Sequence, residues 1–180
     1  MADYYQQTVI QQTIPDADMT PLERLLLSQI FQSEPIGDGW YLFAEENPCT
    51  MIAVTRSEIE AALAETTDTG SAAYIYVAEQ LAGLTDAGED IDLDLSGTSW
   101  EFFLRDIVKR SKTLDYISVA IAFTCSKMRP DGFGGMVVLI TAGAVVGKST
   151  NDILEEVLTE AGLDGGGSSP SVESADTDSE

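Results

Sequence analysis

Read from the first residue, the apolar positions change period several times. Tyr4 to Gln12 alternates loosely and predicts a strand. Thr20-Pro21-Leu22-Glu23 then carries a helix start: Thr20 can cap, Pro21 suits the first helical position and Glu23 completes a capping box. Leu22, Leu25, Leu26 and Ile30 follow at helical spacing, which predicts a helix over 21–33. Glu34-Pro35-Ile36-Gly37-Asp38-Gly39 has the composition of a turn. Trp40–Glu45 and Thr50–Val54 read as strands joined through Asn47-Pro48. A second helix is expected from Ser57, with Glu60 at the box position, to about Thr66. Ala73, Val77, Leu81 and Leu84 mark a third.

Glu89–Leu95 alternates Asp90, Asp92 and Asp94 with Ile91, Leu93 and Leu95, the pattern of a half-buried strand. Thr98 or Ser99 caps the clearest helix, whose apolar stripe is Trp100, Phe103, Leu104, Ile107 and Val108. Leu114–Cys125 and Met136–Thr141 predict a hairpin with a long connection over Ser126–Gly135. A last helix, about Asn151–Ala161, is apolar at Ile153, Leu154, Val157, Leu158 and Ala161, and Gly162 ends it. These elements predict an α+β fold: residues 1–163 as a single domain with an antiparallel or mixed sheet and about five helices. Residues 164–180, opening with Gly165-Gly166-Gly167-Ser168-Ser169-Pro170, read as a disordered acidic tail.

Charge changes the picture most. The 180 residues hold 31 acids, 9 bases and no histidine, for a net −22. Residues 1–104 carry −17, residues 105–148 carry +4, and residues 149–180 carry −9. A chain this acidic repels phosphate backbones and anionic lipid, so neither nucleic acid nor a membrane surface is expected as a direct ligand. Without histidine there is no Ser-His or Cys-His nucleophile pair, and the commonest metal ligand is missing. No reaction, cofactor or metal is read from the chain. The N-terminus has no basic region followed by an apolar one, and no apolar run approaches the ~20 residues of a membrane span. Cys49 and Cys125, far apart and outside any CxxC pattern, fit two buried thiols in a reducing compartment. A cytoplasmic location is the expectation.

A large single-sign field opposes compaction, so such segregation suggests that the field is used. One use is to offer carboxylates where a cationic nucleic-acid-binding protein expects phosphates. On a strand, Asp90, Asp92 and Asp94 project from one face about 6.6–6.8 Å apart, near two axial steps of one DNA strand. The plain alternative is a strand edge kept from aggregating by charge. The partner-binding candidates are therefore Asp90, Asp92 and Asp94, with Asp86 and Glu89 before them and Glu58, Glu60 and Glu65 on the second helix. Arg105, Lys109 and Lys112 share a face of the Trp100 helix and read as internal counter-charge or as a small docking patch, for instance in a homodimer.

Two motif matches fail on context. Ala142 to Ser149 has phosphate-loop spacing if Ala142 stands for glycine, with Lys148 toward phosphates and Ser149 toward magnesium. Its loop is apolar at Val145 and Val146, and too little chain follows to build the surrounding sheet. Whether Gly147-Lys148-Ser149 binds any phosphate stays open. Asp90, Asp92, Asp94 and Glu101 match calcium-loop positions, but Leu95 stands where glycine is required.

The most distinctive run is Thr124-Cys125-Ser126-Lys127-Met128-Arg129-Pro130-Asp131-Gly132-Phe133-Gly134-Gly135. Lys127, Arg129 and Phe133 are candidate loop contacts, and Cys125 reads as a structural thiol. With the opening Tyr4-Tyr5, with Thr20 to Arg24 and with Leu95 to Phe103, this run resembles an uncharacterised family of small acidic accessory proteins borne by plasmids and bacteriophages. The resemblance covers about residues 4–160. It carries over no catalytic residue. It implies a protein of a mobile element acting inside a bacterial host, and hence a partner such as a defence nuclease, a CRISPR effector or a restriction enzyme. The alternatives are a maintenance or regulatory module that binds protein without mimicking DNA, or a nucleotide-binding enzyme.

Overall fold

The computed structural model describes residues 2–84, 88–129 and 131–163; the expected tail over 164–180, and Asp86, lie outside them. Nine strands and five α-helices follow in order: β1 Tyr4–Ile10, β2 Ile14–Pro15, α1 Pro21–Ile30, β3 Gln32–Ile36, β4 Gly39–Ala44, β5 Met51–Thr55, α2 Arg56–Glu65, α3 Ala72–Gly83, β6 Asp90–Asp94, α4 Trp100–Arg110, β7 Tyr116–Cys125, β8 Gly134–Thr141, β9 Val145–Ser149 and α5 Thr150–Glu160. A 3-10 turn at Asp16–Asp18 precedes α1.

Seven of the strands form one antiparallel sheet. β4 is flanked by β3 on one edge and by β1 and β2 in succession on the other; β1 then pairs with β7, β7 with β8 and β8 with β9. The hairpin β7–β8 is the expected one, in the register Val119↔Val138. β5 and β6 make a separate two-stranded antiparallel sheet. One face of the large sheet is packed. Ile10, Leu42, Ile117, Val119, Ile121, Val138 and Ile140 turn inward to meet Leu22, Leu26 and Leu27 of α1 and Phe103, Leu104 and Ile107 of α4. Ile52, Val54, Ile91 and Leu93 of the small sheet complete the same core. This is one α+β fold with five helices, as the periodicity predicts.

Three expectations need correction. The segment read as a turn from Glu34 is strand β3 up to Ile36, and the turn itself is Gly37-Asp38, with Gly37 at φ 58°. Pro35 misled the reading, but β3 is an edge strand, where a missing N–H costs no ladder bond. Helix α2 starts two residues early, capped by Thr55 with Glu58 at the box position, not by Ser57 with Glu60. Both pairs have the same spacing; Thr55 is chosen because β5 runs to it and Arg56 N–H closes onto Glu89 O at 2.7 Å. Strand β9 was not expected at all.

Candidate partner-binding surface

The geometry of the Asp90-Asp92-Asp94 face follows from its neighbours. Ile91 and Leu93 are buried, which forces the three aspartates outward on the opposite side of β6. Across the ladder they face Thr55, Ala53 and Met51, none of them charged. Tyr76 Oη donates to Asp94 O at 2.6 Å and Leu95 N–H to Thr50 O at 2.7 Å, fixing the far end of the strand. The Ser96 hydroxyl and N–H hold the Asp94 carboxyl below its usual range. Among the described residues no Lys or Arg forms an ion pair with Asp90, Asp92 or Asp94.

The three glutamates of α2 do not join that row as one set. Glu58 is close to it: its carboxylate accepts from Thr55 Oγ1 at 2.7 Å, and Thr55 stands directly opposite Asp90. Those Thr55 hydrogen bonds lower the Glu58 pKa. Glu60 is paired with Arg56 at 3.4 Å. Glu65 lies about 10 Å along the helix axis from Glu58, on the rim of a cavity of about 500 Å³ lined by Met19, Leu25, Trp40 and Leu42. The acids brought together are therefore Asp90, Asp92 and Asp94, with Glu58 beside Asp90 through Thr55.

Residues 126–129 and 131–133 present a different surface. Lys127, Met128 and Arg129 are exposed, and Arg129 donates to Tyr4 Oη at 3.2 Å. Phe133, half exposed, lines a cavity of about 300 Å³ with Tyr4, Tyr5, Phe123, Asp131 and Asn151. Tyr4-Tyr5 and the distinctive segment, 120 residues further along, thus meet in space. Gly132 is required by packing, since a Cβ there would lie 2.7 Å from Cys125 Cβ. Cys125 is buried as expected, but Cys49 is exposed, so the chain has one buried thiol and one accessible one.

The phosphate-loop lookalike is a strand. Val145–Ser149 pairs with β8 in the register Lys148↔Val137, so its backbone amides run along a ladder instead of wrapping an anion. Lys148 Nζ is 2.6 Å from Glu156, and the Ser149 hydroxyl caps α5. Residues 90–94, the calcium-loop match, are strand as the alternation predicts.

Three bases of α4, Arg105, Lys109 and Arg110, are paired inside the fold. Asp106, almost fully buried, is held by Lys109 at 2.8 Å, by Arg105 and by the Ala72 N–H at 2.7 Å, which anchors the start of α3. Arg110, absent from the face read in the sequence, reaches the acidic half: it pairs with Asp68 at 2.7 Å and with the fully buried Glu23. Lys112 is exposed. The capping box pointed to Glu23, but nothing in the spacing revealed its partner 87 positions away.

Sequence reasoning missed two uncovered apolar regions. On the outer face of the large sheet, Val137 and Leu139 of β8 and Val146 of β9 stand in solvent. None of the residues of α5 is buried. The signal was present in both segments, but exposure cannot be read from alternation. Compared with protein-family models, with curated proteins and with solved structures, the chain matches none of them. Among the described residues no helix is long and apolar enough to cross a membrane.

Proposed function

We propose that this is a binding protein that inhibits a cationic, nucleic-acid-binding protein of a bacterial host by covering its phosphate-binding surface with carboxylates, in the cytoplasm. The observation that supports this reading is the row Asp90, Asp92 and Asp94: three carboxylates on one solvent face of an ordered strand, next to Glu58, with no cation paired to them among the described residues. Elsewhere bases do answer acids, on buried Glu23 and Asp106 and on exposed Asp16, Glu60 and Glu156. An uncompensated row next to compensated acids is what a surface for a cationic partner requires. The mobile-element setting implied by the resemblance makes a defence nuclease the partner class.

The test is capture from host lysate at low salt with the wild-type chain and with D90N/D92N/D94N. The expected result is a nucleic-acid-binding protein released by moderate salt and by duplex DNA, and recovered at least about tenfold less on the triple variant. A partner that survives high salt, ignores DNA and binds the triple variant equally overturns the proposal. That outcome would favour the second reading, a regulatory or maintenance module with an ordinary interface. The specific observation behind it is the exposed Val137-Leu139-Val146 patch on the large sheet.

A further inference from the structure

Helix α5 is specified by its own sequence and touches the edge of the large sheet, where Gly135 N–H donates to Thr150 Oγ1 at 3.2 Å, yet among the described residues nothing buries its apolar stripe. Its start is a complete capping box, with Asp152 N–H donating to Ser149 Oγ at 3.2 Å and Ser149 N–H to Asp152 at 2.6 Å. Its end is a Schellman turn: Gly162 takes φ 71°, its N–H bonds Thr159 O at 3.0 Å, and Leu163 N–H bonds Leu158 O at 2.8 Å. At 100° per residue, Ile153, Leu154, Val157, Leu158 and Ala161 fill a stripe about 140° wide, the width of a core-facing helix. Yet Ile153, Leu154 and Val157 are 49, 53 and 53% exposed, and Leu163 beyond the turn is 67% exposed. Four carboxylates share the rest of the circumference with Asn151 and Thr159, with Glu155 on one flank of the stripe and Glu160 on the other.

Charge decides the occupant. The residues after 163 bring five further acids and no base, so by composition they neither match the stripe nor answer its flanks. A second copy would set Asp152, Glu155, Glu156 and Glu160 against themselves, with Lys148 already on Glu156. We infer that the α5 stripe docks an amphipathic helix of a partner protein whose apolar face is flanked by lysines or arginines. The partner's apolar residues cover Ile153, Leu154 and Val157, and its cations meet Glu155 and Glu160. This inference does not rest on the β6 reading and concerns a different surface.

The probe is a synthetic helical peptide with leucines at heptad spacing and lysines on both flanks, titrated into the isotope-labelled full-length chain. Two controls replace every lysine by glutamate or every leucine by serine. The expected result is amide shifts centred on residues 150–163 for the lysine-leucine peptide, and binding at least about tenfold weaker to either control. The variant L154D/V157D loses at least about tenfold in affinity, and D90N/D92N/D94N stays within about twofold because the sites are separate. Should L154D/V157D unwind the helix, E155K/E160K provides the second arm: its preference switches to the glutamate peptide. Equal binding of either control, absence of shifts on α5, or α5 shifts that track chain concentration together with sedimentation as a dimer would each overturn the inference.

Discussion

Helices α4 and α5 have the same length, 11 residues, and the same kind of pattern, but opposite fates. In α4, Phe103, Leu104, Ile107 and Val108 are all buried against β7, β8 and β9, and Trp100 meets Phe31 edge-on at 5.2 Å. In α5 the equivalent stripe faces solvent. A hydrophobic stripe states that a face is to be covered; it does not state by whom. The charges differ in the same sense. The bases of α4 neutralise Asp106, Glu23 and Asp68 within the fold, whereas among the described residues the acids of α5 have only Lys148 as an ion-pair partner. One helix completes the core, and the other is left as a surface.

The largest effect that tests this comparison is a pair of truncations. Leu104→Ala removes a fully buried side chain between α4 and the sheet and should cost about 3 kcal/mol or more. Leu154→Ala removes the same atoms from α5 and should cost less than about 0.5 kcal/mol. Urea unfolding followed by tryptophan fluorescence measures both. Equal costs would mean that α5 is packed in solution and that the contrast is wrong.

Next in size is the link between α4 and α1. Arg110→Ala leaves the Glu23 carboxylate buried without its cation, and Glu23 Oε1 has no hydrogen-bond partner even with Arg110 present. The expected loss is about 3 kcal/mol at neutral pH, because an unpaired buried charge is expensive. Acid should reduce that loss. Burial pushes the Glu23 carboxyl above its usual 4.5, despite the Thr20 N–H and Arg110, which act to lower it. The native state therefore holds this proton longer than the unfolded chain. Glu23 contributes stability below about pH 4.5 that is lost as pH rises through the raised value.

Asp106 titrates in the opposite sense. Burial acts to raise its pKa, but the Ala72 N–H, Lys109 and Arg105 together hold it below its usual 3.8. It contributes stability above that value, lost as pH falls through the lowered one. Urea midpoints measured against pH should separate the two. Glu23→Gln should gain on the wild type above pH 4.5, and the deficit of Asp106→Asn should shrink below pH 3.8. Parallel curves for both variants would refute the assignment.

What was legible in the chain follows the range of the interaction. The start of α1 was readable because Thr20, Pro21 and Glu23 act within one turn. The outward row on β6 was readable because alternation is a property of a strand alone. The α2 start slipped because Thr55/Glu58 and Ser57/Glu60 are equivalent locally, and the strand before them decides. β9 was hidden because Val145 to Ser149 is short and resembles a loop motif; it becomes a strand by pairing with β8. Arg110 finding Glu23, and the α5 stripe staying unburied, depend on the assembled fold, and no local pattern encodes either.

The smallest effects concern how α5 is held. Ser149→Ala breaks its capping box, a change worth about 1 kcal/mol in a helix that contributes to the core. Here the loss should appear as fraying: faster amide exchange over the first turns of α5, with the global urea midpoint unchanged, because α5 contributes no buried residue to the core. Lys148→Ala should do less still. Its ion pair with Glu156 is half exposed at both ends, so global stability should move by less than about 0.5 kcal/mol. The same variant closes the phosphate question. Calorimetric titration with magnesium-ATP should give no saturable heat for the wild type or for Lys148→Ala, since β9 is extended along β8 and its amides point to alternate sides instead of converging on one anion. A saturable signal lost on Lys148→Ala would restore the phosphate loop and require β9 to open, and α5, directly behind it, would then be its moving part.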